Sequence, residues 1–145
     1  MPAPPWLHIA LVHPHCELAT RRSREVLREP FALSLVTEQL EALSLVLAGC
    51  YTNDEMLLRR GLRDVLVEPR RAALIRGFEA VKRAALDADA IGASIAGGGP
   101  SAFGWFASAE QARRGGEAMQ AAFRAAGLDS DLLVGPVDGP KAELL

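Results

Sequence analysis

Three groups of residues in this sequence could do chemistry. The first is the run Gly97-Gly98-Gly99, set between "IGASIA" and "SAFGWF" and followed at once by Pro100. The second is a set of cations: Arg24, four residues after Thr20 in "TRRSREVL", and Arg71 in "VEPRR". The third is the pair His13 and His15, at the end of an apolar run. Backbone amides without neighbouring side chains can ring an anion. A guanidinium offers a planar fork of donors that matches a carboxylate and stays charged at any relevant pH. Two imidazoles in H-x-H can contribute to a metal site.

Context narrows each reading. Gly97, Gly99 and Ala102 satisfy G-x-G-x-x-A, but that fingerprint requires a helix directly after the glycines. Here Pro100 and an aromatic, strand-like stretch follow, and a helix becomes favourable only at Ser108. No Lys-Ser or Lys-Thr follows either, so the Walker pattern also fails. What remains is a glycine turn in a β-hairpin, with an anion-binding concavity as the second possibility. The histidines have no carboxylate or cysteine at ligand spacing, so they read as ordinary strand-end residues and no metal site is expected. Arg21, Arg22 and Arg70 read as solvated surface cations. Glu29 and Glu68 each precede a proline and read as helix boundaries rather than acid–base groups.

The elements that must position these residues follow from periodicity. Trp6 to His13 reads as a strand stopped by Pro14. Thr20 is the expected N-cap of a short helix. Phe31 to Gly49 carries Leu35, Val36, Leu40, Leu43 and Leu47 at helical spacing, which predicts the central packing helix, closed by Gly49. Thr52 and Glu55 form a capping box for a helix through Leu57, Leu58 and Leu62. After the Glu68-Pro69 break a helix is expected from about Arg71 to Leu86. Two strands, 91–96 and 102–107, flank the glycines. Ser108 and Gln111 cap a helix that ends at Gly127, whose internal Gly115-Gly116 pair either weakens it or permits close packing. "DLLVGPV" is the last strand, and a turn at Asp138-Gly139 leads to a possible short edge. The order predicts an α+β fold: a ferredoxin-like sandwich of an antiparallel sheet with helices on one face and extra helices in the first crossover.

Composition sets the outer limits. A chain of 145 residues is one domain with its own core, 1–145. A formal net charge of -2 argues against nucleic-acid binding driven by bulk positive charge. Cys16 and Cys50 are too few for a disulfide framework, which suits a reducing, cytoplasmic setting. "MPAPPWLHIALVHPH" lacks a basic leader, and no run is expected to be long enough to cross a membrane.

"GASIAGGGPSAF" resembles the third signature motif of the galactokinase, homoserine, mevalonate and phosphomevalonate kinase superfamily. "TRRSREVL" and "VEPRRAALIRGFEAVKRAAL" resemble segments of the homoserine kinase family within it, in the same order and at similar separations. The resemblance runs from about "VHPH" to the C-terminus. It implies a homoserine carboxylate held by Arg24 and Arg71, with Thr20 one helical turn before Arg24 and able to touch the ligand. It also implies that Gly97, Gly98 and Gly99 line the active site. One departure is Ala96, where the family commonly has a serine. The superfamily's glycine-serine phosphate loop and its acidic magnesium ligand have no counterpart here.

The resemblance therefore implies the C-terminal, substrate-binding part of such a kinase, with the N-terminal ATP-binding domain absent. The reaction implied is transfer of the ATP γ-phosphoryl to the hydroxyl of homoserine in threonine biosynthesis. ATP and Mg2+ are expected for the complete enzyme and little activity for this chain alone, because phosphoryl transfer depends on charge stabilisation by the missing groups. No catalytic residue is assigned in this chain. Implied partners are the small molecule homoserine, a separate N-terminal kinase domain and a possible homodimer, with no nucleic acid and no membrane. A stand-alone ferredoxin-like ligand-binding or regulatory module is the alternative.

Overall fold

The computed structural model describes residues 2–138. The chain forms β1 (His8–Pro14), α1 (Thr20–Glu25), α2 (Leu33–Thr52), α3 (Glu55–Gly61) and α4 (Glu68–Arg71). A 3-10 turn (Ala72–Leu74) leads into α5 (Phe78–Asp87), followed by β2 (Gly92–Ile95), β3 (Ala102–Phe106), α6 (Ala109–Ala125) and β4 (Ser130–Pro136). The four strands make one antiparallel sheet in the order β2-β3-β1-β4. The α+β, ferredoxin-like order expected from the sequence is thus the observed one, with α1 to α5 in the first crossover. The turn proposed at Asp138-Gly139 and the edge after it lie outside the described residues.

Strand alternation decides which side of the sheet becomes core. Ala10, Val12, Ala93, Ile95, Ala102 and Phe106 face α5 and α6 and join Phe78, Val81, Met119 and Phe123 in the main cluster. Gly115 and Gly116 let α6 close on the sheet: a Cβ on Gly115 would stand 2.2 Å from the Phe106 ring, and one on Gly116 2.4 Å from Leu132. Close packing, not local weakening, is their role. Ser108 caps α6 as expected, accepting from the Gln111 amide. A smaller cluster of Leu7, Cys50, Leu58 and Ile91, flanked by Trp105, ties the α2–α3 hairpin to the sheet.

Several local expectations are corrected. Thr20 is the first helical residue of α1 and makes no cap; Ala19 holds the N-cap position. Gly49 does not close α2, which continues to Thr52 and ends at Asn53 in the left-handed region, with Gly49 buried against Leu58. Thr52 back-bonds to the Ala48 carbonyl, so the cap of α3 is Asp54, whose carboxylate accepts from the Met56 and Leu57 amides. The helix expected from Arg71 to Leu86 is broken at Gly77, which has a left-handed φ of +82° where a Cβ would stand 2.6 Å from that of Ala126. The largest difference concerns α2. Its leucines do not form the centre of packing, since Leu33 is 79% and Leu40 58% exposed. At 20 residues α2 is also apolar and long enough to cross a membrane by length and composition, contrary to the expectation that no run would be.

Candidate functional site

Arg71 is the last residue of α4, a one-turn helix opened by Glu68 with Pro69 in its first turn. A proline there suits both its fixed φ and its missing N–H. From that position the guanidinium reaches two other segments. Nε donates to the Ser23 carbonyl of α1 at 3.3 Å, and Nη1 donates to the Gly97 carbonyl of the glycine turn at 3.0 Å. Ser23, the buried residue of α1, closes the triangle by donating from Oγ to the Gly98 carbonyl at 3.0 Å.

The turn is a β2–β3 hairpin loop, as the sequence suggested. Ala96 donates its amide to Ser101 O at 2.8 Å, and Gly99 donates to Ala96 O at 3.0 Å. Gly97 and Gly99 have left-handed φ values of +57° and +78°. At Gly99 a Cβ would also stand 2.9 Å from Ile75 and 3.2 Å from Leu18. Only glycine meets both demands at low cost. Its carbonyls, not a ring of amides, make the contacts to Arg71 and Ser23.

Beside this triangle lies a cavity of about 280 Å3, lined by Leu18, Thr20, Ser23, Arg24, Arg71, Gly98 and Gly99. Five of the six residues singled out from the sequence thus share one wall, and Gly97 adjoins it through its bond to Arg71. Arg24 and Arg71 enter none of the ion pairs among the described residues. Arg71 spends one Nε–H and one Nη1–H on carbonyls, so three of its five N–H groups have no partner among the described residues. Two guanidinium groups facing one open cavity, with no carboxylate paired to either among the described residues, favour an anionic ligand.

Other residues behave differently from the sequence reading. Arg70 is not a free surface cation: it donates to the Glu29 and Pro30 carbonyls at 2.5 and 3.0 Å and lies 3.7 Å over the Phe31 ring. Arg70 therefore pins the loop after α1, next to the element that Arg71 holds. Glu68 is not merely a helix boundary. It is buried, paired with Lys82, and accepts from Ser94 at 2.6 Å. Ser23 and Leu18 were missed as well. Ser23 carried a weak signal, since it stands one turn from Thr20 on the same short helix. His13 bonds Ser101 at 2.8 Å and His15 pairs with Asp131 at 3.0 Å, so the two do not converge on one point. No group of three or more His, Cys, Asp or Glu among the described residues could hold a metal ion.

Comparison with known proteins covers nearly the whole chain. Residues 40–125 match the family model described as GHMP kinases C terminal. The chain is 56% identical over 138 residues to a homoserine kinase of Xylella fastidiosa, covering 95% of this chain and 43% of that protein. It is 52% identical to a homoserine kinase of Xanthomonas campestris over the same shares. With one from Chlorobium phaeovibrioides it is 47% identical over 147 residues, 100% of this chain and 46% of that one. The crystal structure of homoserine kinase from Cytophaga hutchinsonii superposes with a TM-score of 0.92 at 42% identity, covering 94% of this chain and 44% of the other. The chain thus spans less than half the length of these relatives.

Proposed function

The chain belongs to the GHMP kinase C-terminal family and resembles the C-terminal portion of homoserine kinases; from that premise we propose that it supplies the substrate-binding part of a homoserine kinase. The reaction is ATP-dependent phosphorylation of L-homoserine to O-phospho-L-homoserine, a step of threonine biosynthesis in the cytoplasm. The homoserine hydroxyl oxygen bonds to the γ-phosphorus, the bond from that phosphorus to the β,γ-bridging oxygen breaks, and ADP leaves. One observation carries the reading. Arg24 and Arg71 face the same cavity without a carboxylate partner among the described residues.

In this reading the α-carboxylate of homoserine lies between Arg24 and the remaining N–H groups of Arg71. Thr20 lends a hydroxyl at the rim, and the backbone of Gly98 and Gly99 bounds the ligand where a side chain would fill the space. What this chain contributes is orientation, since a bound and aligned hydroxyl reacts with far less entropic cost. ATP and Mg2+ belong to the complete enzyme and would supply the phosphoryl group and charge neutralisation there. The phosphate loop, the proton acceptor and the magnesium ligand are assigned to a separate N-terminal kinase domain. Association with that domain, or with a second copy, is consistent with the exposed apolar leucines of α2.

Calorimetry on this chain with homoserine, threonine and ATP tests the assignment. Homoserine should bind, and Arg24→Ala and Arg71→Ala should each weaken it about tenfold or more. Joined to a cognate N-terminal domain, both variants should raise the homoserine KM while ATP binding changes little. Unchanged homoserine affinity in both would remove the proposal.

A further inference from the structure

Only one acidic residue among the described residues is buried: Glu68, 8% exposed, at the start of the same four-residue helix that ends in Arg71. Its carboxylate is shared between two elements. One oxygen takes the ammonium of Lys82 from α5; the other accepts from the Ser94 hydroxyl of β2 at 2.6 Å. Ser94 lies three residues before Gly97, on the strand that runs directly into the glycine turn. Helix α4 is too short to hold a direction by its own hydrogen bonds. Its placement must come from what anchors its ends.

We infer that Glu68 is a positioning residue: it locks α4 to β2 and α5, and thereby fixes where the Arg71 guanidinium stands between Ser23 and the glycine turn. The two ends of α4 then form one device. At its start Glu68 joins the helix to the strand leading into the turn. At its end Arg71 joins it to the turn itself and to α1. Arg70 adds a third tie, to the loop after α1. Glu68 does not line the cavity, and its side-chain hydrogen bonds among the described residues go to Lys82 and Ser94, so its effect on ligand must pass through Arg71. A carboxylate suits this role because its two oxygens can serve a cation and a hydroxyl at once. Burial makes the arrangement unforgiving, since loss of one partner strands the other.

The part concerning homoserine rests on the proposed function; the part concerning Arg71 does not, and two readouts separate them. The first needs no ligand: solvent exchange of the Arg71 side-chain Nε–H by nitrogen-15 NMR, its signal assigned by its loss in Arg71→Lys. In the wild-type chain that proton, donated to Ser23, should exchange slowly. Glu68→Ala should speed its exchange about tenfold or more, and Glu68→Gln, which keeps an acceptor for Ser94 but not the Lys82 pair, should fall between. Leu132→Ala, which truncates a half-buried β4 side chain packed against the main core, should lower overall stability and leave the Arg71 signal unchanged. The second readout is homoserine affinity by calorimetry, expected to fall about tenfold in Glu68→Ala and to recover partly in Glu68→Gln. Should Glu68→Ala not fold, Glu68→Gln carries both measurements. If Arg71 Nε–H exchange is as slow in the Glu68 variants as in Leu132→Ala, the inference is overturned, whatever the ligand data. If wild type does not bind homoserine while the exchange result holds, the functional reading falls and the positioning role stands.

Discussion

Arg71 Nη1 donates to the carbonyl of Gly97 at 3.0 Å across 26 residues of sequence, so one side chain joins a short helix to the tip of a β-hairpin. The same guanidinium bonds Ser23, which in turn bonds Gly98. In the proposed reading, substrate recognition and local architecture therefore share a residue at Arg71 but not at Arg24.

That difference gives the first prediction. Arg24 is exposed and makes no ion pair among the described residues, so Arg24→Ala should leave unfolding free energy within about 0.5 kcal/mol of wild type. Its homoserine affinity should nevertheless fall. Arg71→Lys should lose both, because an ammonium cannot reproduce the planar fork that serves two carbonyls and, in the proposed reading, a ligand. Urea denaturation alongside calorimetry separates the outcomes. Equal stability losses in the two variants would contradict the division of roles.

The three glycines should rank by geometry. Gly98→Ala places its Cβ 4.0 Å from Ser23 Oγ, at a position without positive φ, and should cost little. Gly97→Ala meets no atom within 4 Å but carries a φ of +57°, so it should cost about 1 kcal/mol. Gly99→Ala combines a φ of +78° with a 2.9 Å contact to Ile75 and should be the most destabilising. Thermal melts of the three variants test the order, and a Gly98 variant as damaged as Gly99 would refute it.

Gly115→Ala sets two effects against each other. Alanine is the better helix former by about 1 kcal/mol. Its Cβ would stand 2.2 Å from the Phe106 ring, inside a fully buried cluster. Overpacking at that distance should win, for a net loss of about 1–3 kcal/mol. A Phe106→Leu background should relieve part of it; no relief would place the strain elsewhere.

The exposed face of α2 can be tested by solubility and association. Leu33→Ser and Leu40→Ser remove side chains that are 79% and 58% exposed, so stability at low concentration should change by less than about 0.5 kcal/mol. Sedimentation should show less concentration-dependent association than in wild type. A large drop in melting temperature at low concentration would mean that these leucines pack within the chain.

The two thiols should differ in reactivity. Burial pushes the Cys50 thiol up from its ordinary range, whereas Cys16 is only half-buried. A thiol-specific reagent should label Cys16 first, and Cys50 only at higher pH or in urea. The sign for stability follows. The folded state prefers the protonated Cys50, so its contribution is complete below the ordinary thiol range and fades as pH rises through the raised value. Equal labelling rates under native conditions would contradict the burial.

The strands, the hairpin around the glycines and the Ser108 cap were legible because each rests on local chemistry: alternation, conformational freedom of glycine and a side-chain acceptor three residues from its donor. Periodicity misjudged α2, since an apolar repeat states that a face wants cover without stating what provides it. Through family resemblance, the sequence by itself also pointed to Arg24, Arg71, Thr20 and the glycine turn. It did not reveal Ser23, Leu18 or the anchoring roles of Glu68 and Arg70. Those depend on contacts between separate segments, such as Ser94 to Glu68 across 26 residues and Ser23 to Gly98 across 75. Residue type and spacing determine what a side chain can do; only the folded chain decides which distant carbonyl or carboxylate stands within 3 Å of it.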